Sequence, residues 1–99
     1  MGAMPEFQLT SWRELPSLVV VRDGDQVVKV PLPDRFQEAI DEAAMRLGAA
    51  DATAYLDGWT RSEWQPVDDS PDVAAPRLAA ELETRWTTEA VTAYLDGLG

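Results

Sequence analysis

The 99-residue chain carries 18 acidic and 8 basic side chains, a formal charge of −10, and neither cysteine nor histidine. The two absences remove disulfides, thiolate chemistry, cysteine-bound zinc and iron–sulfur clusters, the commonest transition-metal ligand and the commonest general base. One domain's length and 45% hydrophobic residues predict a folded α+β domain, whose acidic field repels phosphate backbones and anionic lipid.

The start, Met1-Gly2-Ala3-Met4-Pro5-Glu6-Phe7, lacks the charged region and apolar run of a secretory leader. Its second methionine and its Glu-Phe pair look like a remnant of cloning, so residues 1–7 are expected to lie outside the fold. No apolar run approaches the roughly 18–20 residues that span a bilayer. The longest, residues 18–21, is strand-sized. The expected address is the cytoplasm, with no membrane contact.

Residues 17–31 predict a β-hairpin. Two runs rich in valine, 18–21 and 27–30, flank Arg22-Asp23-Gly24-Asp25-Gln26, whose Asp-Gly pair supplies the positive φ of a tight turn. Alternation sets Val28, Val30 and Leu32 on one face against Val27 and Lys29 on the other. Pro31 and Pro33 end the strand because neither can donate to a ladder.

A first helix is expected over 34–48. Phe36, Ile40, Ala43 and Leu47 form one apolar stripe, Glu38, Asp41 and Glu42 lie away from it, and Gly48 closes the helix. A second helix is expected from Asp51, a good N-cap, to about Glu63, with Tyr55, Leu56 and Trp59 along one side and Gly58 weakening its middle. Together these give an 8–64 unit of hairpin plus two-helix core. Residues 65–76, with three prolines and three aspartates, read as a linker. In the C-terminal helical segment, 77–99, a third helix of about 76–86 carries Leu78, Leu82 and Trp86. A short fourth follows, capped by Thr87 or Thr88, holding Val91, Tyr94 and Leu95 and ending at Gly97. The architecture expected is an N-terminal β-hairpin packed on a small bundle of three to four helices. Thr53-Ala54-Tyr55-Leu56-Asp57-Gly58 recurs as Thr92-Ala93-Tyr94-Leu95-Asp96-Gly97, which fits two helices packing alike better than a repeat array.

Reactive chemistry finds little purchase. No carboxylate pair is singled out by spacing, and Asp68, Asp69 and Asp72 lack the glycine and terminal glutamate of a calcium loop. The serines have no histidine base, and the six glycines form no phosphate-cradling loop. The chain is therefore expected to be no enzyme, with no catalytic, cofactor-binding or metal-binding residue. Strand 27–32 followed by two helices also reproduces the order of a ribbon–helix–helix regulator. Val27 and Lys29 would be poor base readers there, and Asp51 would stand where a helix N-terminus meets phosphate.

The four tryptophans sort by periodicity. Trp59 shares a stripe with Tyr55 and Leu56, and Trp86 with Leu78 and Leu82, so both are expected in the core. Trp12 and Trp64 lie outside any stripe. Either they cap the small core from its ends, or Trp12 and Arg13, with Trp64, form an exposed anchor patch, since tryptophan and arginine are enriched at binding hot spots. Trp12, Arg13 and Trp64 are the candidate partner-binding residues.

Trp12-Arg13-Glu14-Leu15-Pro16 and Phe36-Gln37-Glu38-Ala39-Ile40-Asp41, with Ala44-Met45-Arg46, Ala54-Tyr55-Leu56 and Trp59, resemble the small bacterial domain labelled virulence factor. That domain also occurs within conserved virulence factor C-type proteins. The resemblance spans residues 9–64 and implies no reaction and no site residues. Relatives lie beside scaffold-like and helical-repeat modules, some near corrinoid and folate one-carbon genes, which implies an accessory role. The function expected is a non-catalytic protein-interaction or accessory domain with an unidentified protein partner, basic if the acidic field selects it. The alternative is a ribbon–helix–helix-like dimeric regulator or antitoxin-like protein, its acidic segment from Gln65 onward wrapping a basic partner. Oligomeric state is open between the two.

Overall fold

A computed structural model describes residues 4–48 and 52–98. In chain order these form β1 (Glu6–Trp12), β2 (Leu15–Asp23), β3 (Gln26–Pro31), α1 (Asp34–Arg46), α2 (Ala52–Asp57), β4 (Trp59–Arg61), β5 (Gln65–Pro66), α3 (Pro71–Arg85) and α4 (Thr88–Asp96). The fold is α+β, as expected. The sheet is antiparallel with strand order β3-β2-β1-β4, and β5 also pairs with β1.

The hairpin of β2 and β3 forms where the valines and the Asp-Gly pair place it. Asp23 pairs with Gln26, leaving a two-residue loop in which Gly24 takes φ +60°. Left-handed glycine at the first loop position gives the turn a twist matching that of the strands. Val28 and Val30 pack inward while Val27 and Lys29 face out, as alternation requires. Helix α1 also follows its pattern: Phe36, Ile40 and Ala43 are buried, and Gly48 takes φ +73° just past the end.

The hairpin belongs to a larger sheet, and residues 1–7 do not all lie outside it. Glu6 and Phe7 open β1, where Phe7 pairs with Val21 on one side and Gln65 on the other, and packs against the core. Periodicity concealed this strand: its polar members Gln8, Thr10 and Ser11 dilute the apolar signal.

Two further expectations change. The second helix stops at Asp57, and Trp59-Thr60-Arg61 becomes β4 along β1, with Trp59 opposite Trp12. Aromatic and β-branched residues suit a strand, and the free edge of β1 offers them hydrogen bonds that a solvated helix end lacks. Leu56 is accordingly exposed and Trp59 only half-buried. The expected N-cap, Asp51, lies outside the described residues. The 65–76 segment is no linker either. Gln65 and Pro66 pair with β1, Val67 is buried and bonded to the Pro5 carbonyl, and α3 starts at Pro71. Proline fits the first helical position because its fixed φ suits the helix and its missing N–H would have no partner there. Pro76 deprives the Asp72 carbonyl of its usual amide, but it lies on the exposed side, where water can serve that carbonyl.

Two apolar clusters result. In one, Val19 and Val21 of the sheet's inner face meet Ala74, Ala75, Ala79 and Leu82 of α3, joined by Leu32, Phe36 and Val67. Three alanines along that helix let its backbone lie close to the sheet. In the other, Trp12 and Leu15 meet Ala39, Ile40, Ala43 and Ala44 of α1, and Tyr55, Val91, Tyr94 and Leu95 from α2 and α4 cover them. Helix α1 ties the bundle through arginines aimed at helix C-termini, where unpaired carbonyls and the helix dipole favour a cation. Arg35 donates to the Glu83 and Trp86 carbonyls at 3.1 and 2.5 Å, and Arg46 to the Leu95 carbonyl at 2.9 Å.

Candidate docking surface

The structure breaks up the expected patch of Trp12, Arg13 and Trp64. Trp12 is fully buried, so it is a core residue and not a surface anchor. Its indole N–H donates to the Tyr55 carbonyl at 2.7 Å, its ring stacks on Tyr55 at 5.9 Å, and Gly58 lies against its edge. Arg13 and Glu14 form the two-residue loop between β1 and β2. Arg13 holds φ +52°, and its amide donates to the Gly58 carbonyl at 2.8 Å while its guanidinium lies over the Trp12 ring. Glu14 accepts the Tyr94 hydroxyl at 2.5 Å, and Leu15 and Pro16 are buried. The run Trp12-Arg13-Glu14-Leu15-Pro16 is thus a clamp that fastens the end of the sheet to α2 and α4.

Trp64 stands at the other end of β1. Ser62 sets its place: its amide donates to the Leu9 carbonyl, and its hydroxyl accepts from the Leu9 amide, each at 2.9 Å. Gln8 adds a bond from its side chain to the Ser62 carbonyl at 3.0 Å. The segment between β4 and β5 therefore follows β1 and delivers Trp64 to the sheet's outer face. There the Arg22 guanidinium lies 3.7 Å from the ring centroid, while also pairing with Glu6 at 3.3 Å. Six residues of strand separate Glu6 from Trp12, so the two ends lie roughly 20 Å apart. Arg13 and Trp64 therefore belong to different sites.

The outer face itself is the candidate site. All four helices pack on the inner side or at the clamped end, as the two clusters require. The register aligns outward residues in rows across the strands: Glu6, Arg22 and Val27; Gln8, Val20 and Lys29; Thr10 and Leu18, with Arg61 beside Thr10. These rows, apart from Glu6, and Trp64 line a depression of about 300 Å³, which adjoins a second of about 520 Å³ formed by Thr10, Trp59, Thr60 and Arg61. The floor is apolar: exposed Val27, half-buried Leu18 and Trp64, and buried Val20 beneath them. The rim is cationic: Arg22, Lys29 and Arg61. Glu6 is the only carboxylate in the rows, and it is already paired with Arg22. Alternation along β3 placed Val27 and Lys29 outward, but the rest of this face was hidden, because recognising it requires β1 and β4 as its neighbours.

Another hollow lies on the helical side. A cleft of about 250 Å³ between α1 and α4 includes Arg35, Glu38, Glu42, Val91 and Leu95. Arg35 is engaged by the α3 carbonyls, and Glu42 pairs with Arg46 at 3.0 Å. Among the described residues, no group of three histidine, cysteine, aspartate or glutamate side chains is placed to hold a metal ion. None of their helices is long and apolar enough to cross a membrane.

Comparison with known proteins places the sequence in a family. No curated protein and no solved structure shows significant similarity to the chain. A family model described as virulence factor matches residues 10–94, which takes in the end of β1, the clamp, β2 to β5 and the long helices α1 and α3. The likeness therefore extends well past residue 64, the limit expected from the quoted runs, because α3 and α4 complete the cores that those runs begin. The chain belongs to the virulence factor family.

Proposed function

We propose that this chain is a non-catalytic protein-interaction or accessory domain, and that it receives its partner on the outer face of the sheet. The observation that carries the reading is an apolar floor of exposed Val27 with half-buried Leu18 and Trp64 over buried Val20, within a cationic rim. An apolar patch rimmed by polar groups is the usual form of an interaction site, and a sheet holds its side chains in fixed positions before binding. The partner is a protein, the site is cytoplasmic, and neither cofactor nor nucleic acid takes part. The ribbon–helix–helix alternative is weakened by β4, which stands where the second helix of such a dimer would continue.

Photo-cross-linking in bacterial cells tests the reading. A photoreactive residue at position 29 or 61 is expected to capture one discrete protein, whereas the same residue at Glu81 or Glu89, on the helices, captures none. Equal capture from all four positions, or none from 29 and 61, defeats it.

A further inference from the structure

The partner chemistry suggested by total charge and that suggested by the docking face have opposite signs. The chain as a whole is at −10, a field that would select a basic partner. Locally, three of the 8 basic residues stand in the rows of the outer face. Several cations elsewhere are already engaged. Arg35 bonds α3 carbonyls, Arg46 pairs with Glu42 and Asp96, and Arg77 pairs with Asp69 and Glu81. Among the described residues, Lys29 and Arg61 make no ion pair. Their charge is available to a ligand.

Resting on the docking reading above, we infer that the outer face binds an acidic protein segment that carries aliphatic or aromatic side chains between its carboxylates. Lys29 lies in the row of Val20 and Gln8, and Arg61 lies beside Thr10, one row further along. Three strand spacings and one two-residue step put the two cations roughly 15 Å apart, with the apolar floor between them. A segment with carboxylates at both margins and apolar side chains at its centre satisfies both features together. Arg61 offers the planar fork that matches a carboxylate, and Lys29 offers a point charge. A long polyanion such as a nucleic acid or an anionic bilayer meets more than this face. It must also approach the acidic remainder of the domain, whereas a short segment meets only what lies within about one Debye length, 8–10 Å.

The test uses the full chain and defined probes. A fluorescein-labelled peptide of repeating Glu-Leu-Glu-Phe units is titrated by anisotropy at low and high salt. A matched Lys-Leu-Lys-Phe peptide, a thymidine oligonucleotide and phosphatidylglycerol vesicles serve as the other arms. The acidic peptide is expected to bind, to weaken about tenfold in the Lys29→Glu, Arg61→Glu double variant, and to weaken with salt. Both positions are exposed, and the milder Lys29→Gln, Arg61→Gln pair should fall between wild type and reversal with an unchanged thermal midpoint. Failure of the acidic peptide to bind, binding unaffected by either pair, or preference for the basic peptide, the oligonucleotide or the vesicles overturns the inference. So does a dimer by light scattering that the same reversal dissolves, since the acidic segment would then be that of a second copy. A protein cross-linked at position 29 through a neutral or basic segment overturns this inference and leaves the docking reading intact. Absence of any face-specific cross-link removes both.

Discussion

The hexapeptide Thr-Ala-Tyr-Leu-Asp-Gly occurs twice, and the two copies show how little a shared local sequence says about tertiary role. Both copies end a helix, α2 at Asp57 and α4 at Asp96, and both contribute a tyrosine to the cluster around Trp12 and Ile40. Beyond that they part. Tyr55 stacks on Trp12, and its carbonyl accepts the indole N–H, so the first copy fastens a core indole although no residue of α2 is itself buried. Tyr94 meets Trp86 edge-on at 5.5 Å and reaches Glu14 at the surface. Gly58 is buried, whereas Gly97 is exposed. The same residues thus latch a buried indole in one place and only cover the cluster in the other.

The largest test of this contrast removes the latch. Trp12→Ala should cost about 3–5 kcal/mol, the usual loss for a buried tryptophan. With total stability expected at about 5–10 kcal/mol, urea denaturation would find the variant close to unfolding. A loss under about 1 kcal/mol would mean that the first copy covers the core as loosely as the second. Gly58→Ala comes next. A Cβ at Gly58 would lie 2.4 Å from Trp12 Cε2 and Nε1 and 2.9 Å from Cζ2, and the indole cannot retreat because it is enclosed and hydrogen-bonded. A cost of about 1–3 kcal/mol, toward the upper end, is expected for overpacking of this kind.

The second copy is probed at Tyr94. Burial, then the hydrogen bond to Glu14 and the Glu14 charge, push the Tyr94 phenol up to about 12 from an ordinary 10. A phenol whose pKa is raised by folding contributes stability that is complete below pH 10 and is lost as pH rises through about 12, where the folded form ionises as well. Thermal midpoints measured between pH 9 and 11 should therefore fall more steeply in the wild type than in Tyr94→Phe. At neutral pH the same variant should lose only about 0.5–1 kcal/mol, the value of one partly solvated hydrogen bond. Parallel pH profiles would show that the Glu14 contact contributes nothing.

The contrast also explains which parts of the fold were legible. Regular periodicity revealed the β2–β3 hairpin, α1 and α4, and of the two threonines offered as its cap it is Thr87 whose hydroxyl accepts from the Ala90 amide, at 3.1 Å. Elements whose identity depends on a distant neighbour were hidden. The strand Trp59-Thr60-Arg61 exists because β1 offers an edge, and Gly58 ends α2 while leaving room for an indole that enters from far back in the chain. Pro71 looked like a breaker, yet it takes the first position of α3, with Ser70 at the N-cap. At the candidate site, Trp12 was buried by the same neighbours, while Val27 and Lys29 were read correctly as outward. Their companions Arg22, Arg61 and Trp64 share a face only through the register of four strands, and no window of sequence contains that register.

The smallest effect expected has the opposite sign and bears most directly on whether the two copies are one module. Gly97 has φ −76° and ψ −12°, ordinary right-handed values that any residue adopts, and its amide donates to the Ala93 and Tyr94 carbonyls at 3.2 Å. A Cβ there would meet only the Tyr94 and Ala93 carbonyl oxygens, at 3.5 and 3.6 Å, which is normal contact. Nothing in the folded state resists alanine, while the unfolded chain loses glycine's extra freedom. Gly97→Ala should therefore stabilise the domain slightly, by about 0.4–1 kcal/mol. Measured beside Gly58→Ala in the same denaturant series, it gives a pair of identical substitutions in identical hexapeptides with opposite outcomes. If Gly97→Ala instead costs more than about 1 kcal/mol, the second glycine is also held by packing, and the two segments are equivalent units after all.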